Sequence, residues 1–156
     1  MRDQTVGGGV MTDAAGHHGR ISTPPAQTWA RVFPARPDQV REARAFLTAL
    51  LDTCPAAADA VLCLSELASN SVIHSESRQP GGSFRVCVEV RQGDYVRVEV
   101  HDGGGSWDER PQADERAHGL TIVRELATAS GIDGDPLTGW IAWARLDWAA
   151  STPWHG

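Results

Sequence analysis

Lysine is missing from this chain: all 14 Lys-or-Arg positions are arginine. That absence carries no functional reading by itself. Against 20 acidic residues it leaves a formal net charge of -6, with no basic cluster to offset it. A nucleic-acid binder that works by neutralising phosphates is thereby excluded. No Cys-x-x-Cys pair occurs either. The three cysteines, Cys54, Cys63 and Cys87, are an odd number. Two of them sit in apolar runs, where free thiols act as small hydrophobes in a reducing compartment. Long apolar runs are also missing, so no segment approaches the ~20 residues of a membrane span, and the N-terminus has no apolar signal core. The run Gly7-Gly8-Gly9 lacks the Gly-Lys-Ser/Thr that would make it a phosphate loop. There is no Gly-x-Ser-x-Gly elbow to support a serine hydrolase. What is left is a cytoplasmic protein with one domain's worth of apolar residues, 41% of the chain.

Residues 1–27 are rich in Gly, Pro, Thr and His without apolar periodicity, and read as a disordered leader in which His17 and His18 lack further ligands. The domain is expected over 28–150, with a short tail at 151–156. Trp29 to Phe33 alternates and reads as a strand. Asp38 to Leu51 places Val40, Ala43, Phe46, Leu47 and Leu50 at helical spacing. No Gly or Pro interrupts the chain from Ala56 to Gln79, which predicts a second helix. Phe84 to Val90 and Tyr95 to Val100 alternate strictly, and Gln92-Gly93-Asp94 joins them as a hairpin. A long polar stretch follows. A third helix is expected to begin at Gly119 and to be capped by Gly131. Ile132-Asp133 reads as a short strand and Thr138 to Asp147 as the last. This order predicts an α+β, two-layer α/β sandwich, a mixed, mostly antiparallel sheet with helices on one face.

Three places carry chemistry. On the second helix Glu66, Asn70 and His74 are spaced by four and share a face, while Val61, Leu64, Ala68 and Val72 take another. A carboxylate beside a neutral oxygen ligand suits a site that holds a hydrated metal ion and deprotonates a hydroxyl. At the end of the hairpin, Asp102 precedes Gly103-Gly104-Gly105. An Asp only accepts hydrogen bonds, so it can read an exocyclic amine, and glycines let the backbone approach a flat base. Third, Gly119 at the expected helix start, next to His118 and Leu120, would offer free N–H groups and a positive dipole to phosphate oxygens. Together these make a nucleotide site.

The run Leu-Ser-Glu-Leu-Ala-Ser-Asn-Ser-Val-Ile-His (64–74) resembles the N box of the histidine-kinase-like ATPases. Val-His-Asp-Gly-Gly-Gly (100–105) is similar to their Asp-x-Gly box, and His-Gly-Leu-Thr-Ile-Val (118–123) to their second glycine box. The resemblance covers about Trp29 to Trp148. Within the superfamily the compact size and the Ser-Glu-Leu-x-x-Asn form resemble the bacterial anti-sigma-factor serine/threonine kinases. The resemblance implies ATP and Mg²⁺ as cofactors, with Asn70 on the Mg²⁺ held by the ATP phosphates and Glu66 as general base. It implies that Asp102 bonds the adenine amine, that Gly104 passes close to the base, and that Gly119, with His118 and Leu120 beside it, meets the phosphates. Residues 105–117 would be a lid over ATP. The implied partners are an anti-sigma-factor antagonist and a sigma factor, and relatives commonly form homodimers.

His74 is expected to be structural. Relatives often carry Arg at the position of His118, Lys at that of Trp140, and at that of Ile141 a Thr that helps bind adenine through water; those exchanges point to modest ATP affinity, and with it to a non-catalytic nucleotide-sensing module as the alternative. His74, His101 and His118 lack zinc-ligand spacing. Trp140, Trp143 and Trp148 read as core or dimer contacts rather than a stacking platform. No helical hairpin bearing a phosphoacceptor His precedes the domain, unlike a sensor kinase.

Overall fold

The computed structural model describes residues 24–74, 81–103, 113–135 and 137–149, with the backbone alone at 74 and 113–118. The chain runs β1 (Gln27–Pro34), α1 (Pro37–Leu50), α2 (Ala57–His74), β2 (Ser83–Arg91), β3 (Tyr95–His101), α3 (Ala113–Leu126), β4 (Ala129–Asp135) and β5 (Gly139–Asp147). That is the order the sequence predicts. The strands form one sheet in the order β1-β2-β3-β5-β4. All four ladders are antiparallel, so the parallel pairing a mixed sheet would include is absent among the described residues.

Strict alternation explains the layering. Val86, Val88 and Val90 of β2, Val96, Val98 and Val100 of β3, and Ala142, Ala144 and Leu146 of β5 all point to one face and are buried. Leu47 of α1 and Leu64, Leu67 and Ala68 of α2 close over them in the same core. Each Val or Leu among them contributes about 1.5–3 kcal/mol by leaving water. Phe33 stacks on Phe84, ring centroids 5.4 Å apart, and closes the β1 end. Among the described residues no helix covers the opposite sheet face, which carries mainly polar and aromatic side chains together with Ala30, Val32, Cys87 and Ile141. Among the described residues no helix is long and apolar enough to cross a membrane.

Two boundaries differ from expectation. α3 begins at Ala113, so Gly119 lies inside the helix and not at its start. The run Ala-Asp-Glu-Arg-Ala supplies good helix formers, with acids in the first turn where the dipole favours them. Gly131 belongs to β4 and caps nothing. The helix ends without a left-handed residue, because Thr128 N–H already donates to Arg145 O at 2.7 Å and draws the chain into the sheet. Residues 1–23, Gly104, the stretch 105–112, the tail 151–156 and the side chains of His74 and His118 lie outside the described residues.

Candidate functional site

α2 packs its apolar side against the core, and Glu66 leaves it on the side toward α3, with Asn70 one turn further along the helix. Asn70 is only 5% exposed, and its buried Nδ2 has no hydrogen-bond partner among the described residues. An unpartnered buried amide is costly, about 1–3 kcal/mol, and such groups are rare in folded proteins. A half-turn of the carboxamide exchanges nitrogen for oxygen in that position, which turns an orphan donor into a ligand for a hard cation. The donor present therefore fits a Mg²⁺ ion. Cys63 lies one turn before Glu66. Burial, then the nearby Asp59 and Glu66 charges, push its thiol up to about 12, so it is inert.

Gly119 is the point at which α3 meets this face. A Cβ placed on it would stand 2.7 Å from Glu66 Oε2 and 3.6 Å from Glu66 Cδ. Only glycine leaves the carboxylate its place. Its role is thus a close approach rather than a helix start, which removes the free N–H groups expected there. Leu120, next in the helix, is half-buried against the core.

Asp102 directly follows β3. Its N–H donates to Trp140 O at 3.0 Å, and its Oδ1 accepts from Trp140 N–H at 3.3 Å. The pair extends the β3–β5 ladder by one step and holds the carboxylate at the end of the strand. His101 pairs with Ile141, and Val100 with the buried Ala142. By alternation His101 and Ile141 lie on the helix-free face, and Asp102 and Trp140 on the helix side. Of the two exchanges expected to weaken base binding, the one at Trp140 therefore stands beside Asp102, whereas Ile141 faces away.

The family model for the histidine kinase-like ATPase domain matches residues 33–140. The chain belongs to that family. No curated protein matches it. Among solved structures it is similar to one described as the RsbU and RsbW domains of Rv1364c from Mycobacterium tuberculosis, with a TM-score of 0.62 and 22% identity. The similarity covers 77% of this chain and 32% of that one, so the chain spans about a third of that structure's length. At this identity the likeness establishes the fold.

Within this histidine kinase-like ATPase domain the structure brings Gly119 against Glu66, with Asn70 one helical turn away, and sets Asp102 at a strand end on the same side of the sheet. Two features escaped the sequence reading. The Glu66–Gly119 approach depends on how α2 and α3 pack, and no local pattern reports it. On the helix-free face, Cys87 lies directly across from Glu99. This pair was legible, because the hairpin register is symmetric about Gly93, whose φ of 80° marks the turn.

Proposed function

We propose that this ATPase domain is an ATP-dependent serine/threonine protein kinase of the anti-sigma type, which phosphorylates an anti-sigma-factor antagonist and binds a sigma factor. The observation that carries this reading is the α2 face, where a half-buried carboxylate and a carboxamide whose Nδ2 has no partner among the described residues stand four residues apart, with α3 pressed on the carboxylate through Gly119. The three boxes and the fold shared with an RsbW-containing structure support the same subgroup.

In this reading Glu66 takes the proton of the acceptor hydroxyl, and Asn70 holds Mg²⁺ through its carboxamide oxygen. Asp102, fixed by Trp140, accepts from the adenine amine. Mg²⁺ supplies neutralisation of charge on the phosphates; positioning accounts for most of the remaining catalysis. The test is labelled ATP with Mg²⁺ and candidate antagonist proteins, comparing wild type with Glu66→Ala. The expected result is transfer by wild type alone. Equal transfer by both would remove Glu66 from the base role.

A second reading rests on Trp140 beside Asp102, where relatives often have Lys. A bulky indole there favours a nucleotide-sensing module that sequesters a regulator without turnover. Tight partner binding that responds to ATP, with no transfer to any substrate, would select it. Folded wild-type protein that binds no ATP in calorimetry would overturn both.

A further inference from the structure

The helix-free face of the sheet holds a second cluster of reactive side chains, on the opposite side from Glu66 and Asn70. Cys87 of β2 pairs across the ladder with Glu99 of β3, and His101 lies two residues further along β3 on the same face. One ligand atom from each, the Cys87 Sγ, a Glu99 oxygen and a His101 ring nitrogen, fall within 4.8 Å of one another. All three residues are half-buried. We propose that Cys87, Glu99 and His101 form a binding site for a single divalent transition-metal ion of the zinc class.

Four observations support the site. The donor set mixes sulfur, nitrogen and oxygen, which selects Zn²⁺ or its neighbours over Mg²⁺ and Ca²⁺. The ligands come from two hydrogen-bonded strands, so the backbone holds them in place before any ion arrives. Glu99 is already oriented by two partners: Oε1 faces His101 Nε2 at 2.8 Å, and Oε2 accepts from Arg97 Nε at 2.8 Å. An ion that takes the position between Oε1 and Nε2 leaves Oε2 on Arg97. Arg97 is in turn held over the Trp143 ring at 4.2 Å, giving the outer support that ligating carboxylates usually have. Finally, Cys87 and Glu99 line a groove of about 300 Å³ between β1, β2 and β3. It gives the ion an entry path and room for a water as fourth ligand.

Binding forms bonds from the ion to Sγ, Oε1 and Nε2. The Cys87 thiol gives its proton to solvent, and a neutral His101 carries its hydrogen on Nδ1. One thiolate and one carboxylate then balance the two positive charges. Without an ion the thiol stays protonated, since burial pushes its pKa up and outweighs the opposing effect of Arg85.

Titration of the untagged full chain with Co²⁺ tests the proposal. The expected result is one ion per chain, with a thiolate-to-cobalt absorption band in the near ultraviolet and displacement by one equivalent of Zn²⁺. Cys87→Ser, shown to be folded by circular dichroism, should lose the band. Arg97→Gln keeps the band but weakens binding by about 10–100-fold, the usual effect of removing an outer partner. A folded wild type without the band, or a band that survives in Cys87→Ser, would overturn the assignment.

Discussion

Gly119→Ala would place a methyl 2.7 Å from Glu66 Oε2, so the carboxylate must swing away. The helix itself gains from the exchange, by about 1 kcal/mol. The variant should therefore unfold at the same or a higher temperature while transferring less phosphate from labelled ATP. Melting and transfer assays on one preparation separate the two effects. Asn70→Ala removes an Nδ2 that has no partner among the described residues. Relief of that orphan offsets the lost packing, so the variant should be no more than about 1 kcal/mol less stable than wild type in urea denaturation, while calorimetry registers a loss of Mg²⁺-dependent nucleotide binding. At this scale the Glu66–Asn70 pairing was legible, because four-residue spacing puts both on one helix face. The contact with Gly119 was not, since it joins residues that no local rule relates.

At the scale of elements, the β4–β5 connection depends on Gly134, whose φ is 108° and whose missing Cβ would run into the Gly139 carbonyl. Backbone cannot yield as a flexible side chain does, so Gly134→Ala should destabilise the fold by about 1–3 kcal/mol, read from the denaturation midpoint. β3 offers a pH prediction. Burial acts to raise the pKa of Glu99, but the bonds from His101 and Arg97 outweigh it and hold the carboxyl below its ordinary 4.5. A group depressed in the folded state contributes stability above its unfolded pKa and loses it as the pH falls through the folded value. Below about pH 4.5 wild type should therefore lose stability more steeply than Glu99→Gln, as urea midpoints across acid pH will show. The strands were legible because period-two alternation is unambiguous in Phe84–Val90 and Tyr95–Val100. The start of α3 was not, because a polar run without apolar spacing reads as loop even when its propensities are helical. Gly131 misled in the same way: a glycine near a helix end reads as a cap, whereas here it makes room for the Trp143 indole, which a Cβ would meet at 3.0 Å.

For the molecule as a whole, membership of an ATPase family makes nucleotide binding a source of stability. At a ligand concentration roughly 100 times Kd, binding adds about 2.7 kcal/mol. Wild type with ATP and Mg²⁺ should melt later than without, and Asp102→Ala should show no such shift in a thermal scan. The overall architecture was readable from the order of elements, since helices between antiparallel strands leave few ways to cover one sheet face. Whether the sheet was mixed was not readable, because pairing between distant strands leaves no mark on either alone. The strand order β1-β2-β3-β5-β4 also governs the sequence of assembly. β2–β3 and β4–β5 join neighbours in the chain and close at small entropic cost. β1 reaches β2 only across α1 and α2, and β3 reaches β5 only after α3 and β4. Two of the four ladders are thus non-local, which puts folding toward the slow end for a chain of this size. Until β5 arrives, the edge from Val96 to Val100 stands open, and that interval is when the chain is most exposed to aggregation.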